Sequence, residues 1–179
     1  MRFPLNKNFI LENNSETSFL KSYQFHTEIP QLPHPGAFGK ERKNHNHEGV
    51  DLYCENNDEV YSMSKGKVIA IEAFTGVHAN SPWWNDTWCV LVEHDNFVLN
   101  YGEIIPDKSL FIGKNLEEGD LVGVVKTVLK KNKGRPMSML HLEMYEKGTK
   151  QPIKEWSLNE KQPNQLLNPT AILQAFITN

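Results

Sequence analysis

The sequence predicts a mainly β protein, a single antiparallel β-sheet domain with a short C-terminal helix. Three features predict it. Short runs of β-branched and aromatic residues follow one another closely from Val50 onward. The joints between them carry turn chemistry. A helical apolar period occurs only at the end of the chain.

The first 45 residues are rich in Asn, Pro and Gly, with short apolar pieces such as Phe19-Leu20 and Tyr23-Gln24-Phe25. They read as an irregular lead-in over residues 1–35, with one edge strand at most, ahead of a domain over residues 36–179. The expected strands are Val50–Cys54, Glu59–Ser64, Lys67–Ile71, Trp88–His94, Phe97–Tyr101, Leu121–Leu129 and Leu140–Tyr145. Lys65-Gly66 and His94-Asp95-Asn96 supply two turns, and Gly113, Gly119 and Gly134 bound others. Near the end, Asn168 is an N-cap with Pro169 at the first helical position. Ile172, Leu173, Phe176 and Ile177 then share one apolar face. A chain of 179 residues, 39% of them hydrophobic, suits one domain with one core.

With 23% charged residues and a net charge of -3, the chain has no field that would draw it to nucleic acid or an anionic membrane. The basic run Lys126 to Arg135 lacks interleaved aromatics and reads as a solvated hairpin tip. No apolar run suits a secretory signal, and none approaches the ~20 residues that span a bilayer. The expectation is a cytoplasmic protein as synthesised, acting outside only after lysis or export by a route that uses no signal peptide. Cys54 and Cys89 are too few for a disulfide scaffold and are read as free thiols. Small-molecule and peptide partners remain.

The stretch His47-Glu48-Gly49-Val50-Asp51 places an imidazole and a carboxylate, both good zinc ligands, four residues apart. On a fully extended strand they would sit ~13 Å apart, so one shared ion requires a bend, which Gly49 suits. A helical reading, with Glu48 as general base, is opposed by Gly49, Val50 and the absence of an apolar helical period. Glu48 is therefore expected at the surface. A third ligand is sought in Leu140-His141-Leu142-Glu143, where His141 and Glu143 share a strand face. Taken alone, a strand histidine is more often a hydrogen-bonded core residue.

Two segments carry a resemblance to a known family. His47, Gly49 and Asp51 match a His-x-Gly-x-Asp signature, followed by Glu59 to Met63, Gly66 and Val68. Met139-Leu140-His141-Leu142-Glu143 stands where a His-x-His signature, commonly His-Leu-His-Phe-Glu, is expected. From roughly Gly36 to Leu173 the chain resembles the lysostaphin and LytM-type zinc endopeptidases, which cut peptide cross-links of bacterial cell walls. The resemblance implies that fold, a Zn2+ cofactor held by His47, Asp51 and His141, and a peptidoglycan peptide as substrate. It also implies two departures: the family's helper histidines are Met139 and Glu103 in this chain.

A zinc ion with three protein ligands keeps a position for water and lowers its pKa to about 7, so a proton acceptor is needed nearby. Glu103 is the candidate base. The lost stabilisation of negative charge needs a substitute from Arg42, His45, His78 or the backbone, with His45 and His78 preferred. The loop Phe74 to Trp88 holds Trp83, Trp84 and Trp88. Its tryptophans either wall a cleft or form a satellite core, so Trp83 and Trp84, with Tyr101 beside Glu103, are the expected substrate contacts. The sequence thus points to a zinc endopeptidase-like hydrolase acting on peptidoglycan. Its alternatives are a metal-holding module without catalysis that recognises a wall peptide or a protein partner, and a hydrolase of some non-wall substrate.

Overall fold

The computed structural model describes residues 1–5, 29–132 and 136–176. Its strands are β1 (His45–Asn46), β2 (Val50–Tyr53), β3 (Glu59–Tyr61), β4 (Gly66–Thr75), β5 (Thr87–Glu93), β6 (Phe97–Pro106), β7 (Asn115–Leu116), β8 (Leu121–Val125), β9 (Met139–Glu146), β10 (Trp156–Ser157) and β11 (Leu166–Leu167). A helix, Thr170–Gln174, follows β11. All pairings are antiparallel, and all strands but β1 and β10 belong to one nine-stranded sheet. This is the mainly β, antiparallel architecture with a short terminal helix that the short β-favouring runs predict.

The long strands β4, β5, β6 and β9 form the body of the sheet, in that order. The β5–β6 joint closes at His94-Asp95-Asn96, where the His94 N–H donates to the Phe97 carbonyl at 2.8 Å. Val90, Leu91, Val92, Val98, Leu99, Leu140, Leu142 and Tyr145 have no exposed surface. Both faces of the sheet centre are therefore covered, which is why β5 reads as a nearly continuous apolar run. Arg2 and Pro4 exchange backbone hydrogen bonds with Met63 and Tyr61, and Phe3, Leu5 and Ile29 lie in the core. Thus the described ends of the lead-in pack on the same core as the rest. The apolar pieces Phe19-Leu20 and Tyr23-Gln24-Phe25, along with Gly134 and Ile177, lie outside the described residues.

Two expectations about elements change. The strand expected over Leu121–Leu129 ends at Val125. Beyond it the backbone turns to other partners: Val128 accepts from Asn85 N–H at 2.9 Å, and Leu129 bridges Trp84. The helix begins one residue later than expected, at Thr170 with Pro169 in the N-cap position; Thr170 N–H donates to Asn168 Oδ1 at 2.9 Å, and the helix buries Leu173.

One feature of the sheet positions the site. Strand β6 pairs with β9 from Phe97 through Gly102, then with β8 from Ile104 through Pro106. Glu103 sits at this fork. On the other side of β9, β2 pairs so that Asp51 lies opposite His141.

Candidate metal centre

His47 precedes β2, Asp51 is its second residue and His141 is the third residue of β9. The chain around His47 is pinned by Gly39 N–H to the His47 carbonyl and His47 N–H to the Lys40 carbonyl, at 2.8 and 2.9 Å. Together with the β2–β9 register, this converges the three side chains. His47 Nε2 lies 3.1 Å from Asp51 Oδ1 and 3.2 Å from His141 Nδ1, and His141 Nδ1 lies 2.8 Å from Asp51 Oδ1. Donors about 2.1 Å from a tetrahedral zinc stand about 3.4 Å apart, so a triangle of 2.8 to 3.2 Å needs only a few tenths of an ångström of opening to admit such an ion.

The remaining atoms of the three ligands are anchored. His47 Nδ1 donates to the Ala37 carbonyl at 2.9 Å, which leaves Nε2 as the lone-pair nitrogen. His141 Nε2 faces Glu143 Oε1 at 3.2 Å, which leaves Nδ1. Glu143 Oε2 in turn accepts from Asn100 Nδ2 at 2.6 Å and from the Tyr145 hydroxyl at 2.7 Å. Asp51 Oδ2 takes Arg42 Nη2 at 2.8 Å, and the same nitrogen reaches the Pro35 carbonyl at 3.2 Å. A buried donor set with every remote atom held is what a metal centre needs.

Charge follows the geometry. Burial raises the Asp51 carboxyl, but the His47 and Arg42 charges and, in the metal-free protein, protonated imidazoles at hydrogen-bond distance outweigh it and hold it well below the usual range. Burial lowers His47 more than Asp51 raises it. For His141 the same burial is overcome by hydrogen bonds to Asp51 and Glu143, so its pKa stands well above the usual value. Glu143 is held low because hydrogen bonds from His141, Asn100 and Tyr145, with the His141 charge, outweigh its burial.

Gly49 is required for a different reason than a bend. A Cβ there would stand 2.6 Å from the Leu142 carbonyl oxygen and 2.8 Å from His141 Nε2, so any side chain would drive into the imidazole. Gly102, opposite His141, makes room for Phe74 in the same way, and the Phe74 ring lies 5.3 Å from the His141 ring.

Glu103 reaches the site through an irregularity. Strand alternation would send it to the face of Tyr101. Between Trp88 and Val90 the β5–β6 register shifts, however, and Glu103 has a φ of 64°. Such a bulge re-aims a side chain. Glu103 therefore lines a cleft of about 360 Å³ together with Asp51, Arg42, Lys43, His45, Trp84 and Met139, and its Oε2 has no hydrogen-bond partner among the described residues. Burial, then the Asp51 charge, push its carboxyl up to about 8.

Several expectations are corrected. Tyr101 is fully buried and takes Met63 N–H at 3.0 Å on its hydroxyl, so it is a core residue facing away from the cleft. Glu48 is not at the surface: its side chain is 12% exposed, and Oε1 accepts Trp156 N–H at 2.9 Å. His78 lies exposed on the 3-10 turn Val77–Ala79 and is not part of the cleft lining. His45 does line the cleft, half-buried on β1. The two tryptophans part company. Trp84 is in the lining, whereas Trp83 is 64% exposed and touches Trp84 edge-on at 6.0 Å between ring centres.

Comparison with solved structures places this architecture. LytU aligns with a TM-score of 0.53 at 14% identity, over 83% of this chain and 85% of that one. The catalytic domain of the antimicrobial peptidase lysostaphin from Staphylococcus simulans aligns at 0.50 and 14% identity, over 78% and 89%. CbpA from L. salivarius REN aligns at 0.50 and 21% identity, over 80% and 87%. The chain has the lysostaphin/LytM-type fold. No protein-family model and no curated protein sequence matches it. On the lysostaphin/LytM-type fold, the His47, Asp51 and His141 cluster is this chain's candidate metal site.

Sequence reasoning missed the carbonyls of Pro35 and Ala37, which support Arg42 and His47. It also missed Asn100 and Tyr145, which hold Glu143. Strand parity was the available signal: Asn100 pairs with Glu143 in the register, and Tyr145 shares the face of His141 and Glu143.

Proposed function

We propose that the protein is a zinc-dependent hydrolase that cuts a peptide bond, with peptide cross-links of bacterial peptidoglycan as its substrate. The observation that carries this reading is the triangle of His47 Nε2, Asp51 Oδ1 and His141 Nδ1, set at the edge of a cleft that also holds the Glu103 carboxyl. The similarity in fold to lysostaphin, an antimicrobial peptidase, supports the substrate class.

His47, Asp51 and His141 would hold the ion. When bound, zinc supplies Lewis acidity that polarises a carbonyl and lowers the pKa of water. Glu103 takes the proton of the attacking water and returns it to the leaving amine. Its place at the strand fork keeps the carboxyl inside the cleft with one oxygen uncommitted. Arg42, fixed on Asp51, and His45 present N–H groups to the same cleft and offset the charge that develops on the carbonyl oxygen. Trp84 and Met139 give the peptide an apolar surface.

Met139 favours the second reading, a metal-holding module that binds wall peptide without cutting it, because a thioether carries no proton where the related enzymes keep a histidine. Mass spectrometry of peptidoglycan digested by the zinc-loaded protein decides between them. The hydrolase reading expects new peptide fragments that His141→Ala fails to release. Binding of the wall material without fragments supports the module instead.

A further inference from the structure

We propose that the cleft selects a peptide bearing a free carboxylate close to the carbonyl presented to His47, Asp51 and His141, and that Arg42 and Lys43 hold that carboxylate. This inference deepens the reading of the cleft as a peptide-binding site and rests on it.

The donors and acceptors of the cleft do not balance. Arg42 commits Nη2 to Asp51 Oδ2 and the Pro35 carbonyl, while its Nε and Nη1 have no hydrogen-bond partner among the described residues. Lys43, the next residue, is exposed, lines the same cleft and makes no ion pair among the described residues. The two acidic groups of the lining, Asp51 and Glu103, interact with Arg42 by charge, but neither makes a hydrogen bond to its Nε or Nη1 or an ion pair with Lys43 among the described residues. Asp51 is already engaged by two imidazoles and by Arg42 Nη2, and Glu103 is buried at the strand fork. A divalent cation on the cluster would make the lining net positive.

The rest of the lining asks for little polar contact, since Trp84, Val128, Leu129, Pro136 and Met139 are apolar. A neutral peptide engages the free Arg42 N–H groups only through carbonyl oxygens and leaves the Lys43 ammonium without a counter-charge. A carboxylate satisfies both, because a guanidinium with fixed orientation suits planar carboxylate recognition and a neighbouring ammonium adds charge. Arg42 is bonded to Asp51 itself, so a carboxylate on its remaining N–H groups lies within about one residue of the carbonyl at the cluster.

The test uses soluble muropeptides from native peptidoglycan and the same material after carbodiimide coupling to ammonia, which turns carboxylates into carboxamides. Calorimetric titration into zinc-loaded Glu103→Gln protein, shown folded by circular dichroism, separates binding from turnover. Amidation is expected to weaken binding by about tenfold or more, the worth of a charge-assisted hydrogen bond. Lys43→Gln, a change at an exposed side chain, is expected to lower the ratio of native to amidated affinity. Equal affinity for the two preparations, or binding of neither, overturns the inference. Carboxylate-dependent binding with no fragments released by the zinc-loaded protein would keep this inference and remove the hydrolase reading.

Discussion

A Cβ on Gly49 would stand 2.8 Å from Nε2 of His141, 92 positions further along the chain. The glycine of the His-x-Gly-x-Asp pattern thus admits the His141 imidazole from the neighbouring strand. Gly49→Ala is expected to keep the fold, cost about 1–3 kcal/mol of stability through overpacking, and weaken zinc binding by displacing His141. Thermal unfolding and zinc titration check the two effects. Unchanged zinc affinity would show that the imidazole moves away at no expense.

Glu143 holds His141 through Nε2, the nitrogen turned away from Asp51 and His47. Glu143→Gln is expected to lower zinc affinity by about 10- to 100-fold while leaving one site per chain. Competition with a chromophoric chelator reads both quantities. An unaltered affinity would mean that the Asn100, Tyr145 and Glu143 network only fills the core.

Glu103→Gln removes the proposed base and keeps its shape. Peptide release is expected to fall by about 100-fold or more, with zinc stoichiometry unchanged. Full activity in this variant would assign proton transfer to another group.

His94 gives a pH dependence remote from the cleft. Burial lowers its pKa, against hydrogen bonds to the Lys65 and Ser64 backbone and the Asp95 charge. With the folded value below the ordinary 6.5, the unfolded chain binds more protons between the two values. Stability from this group is therefore present above 6.5 and lost as the pH falls through the window beneath it. Urea unfolding across that range is expected to show a shallower acid decline in His94→Gln than in the parent. Identical slopes would contradict the assignment.

These residues also mark what the sequence makes legible. The long strands are readable because their apolar period is set by burial, and His47, Asp51 and His141 because their chemistry is unusual for a sheet. The two-residue strands β1, β7, β10 and β11 carry no period and exist through their tertiary partners. Glu103 and Tyr101 show the limit most plainly. Two residues apart, they would share a face by parity, yet a bulge and a positive φ at Glu103 send one to the cleft and leave the other in the core. Glu48 reads as exposed because its partner, the backbone of Trp156, lies 108 residues away.

The central claim is that His47, Asp51 and His141 together hold one divalent ion. Elemental analysis after dialysis against trace zinc tests it directly, on the parent beside Asp51→Ala and His141→Ala. The account predicts one zinc per parent chain, a rise in unfolding temperature with zinc, and loss of both in each variant. A parent chain that retains no metal, or variants that retain it fully, would contradict the claim.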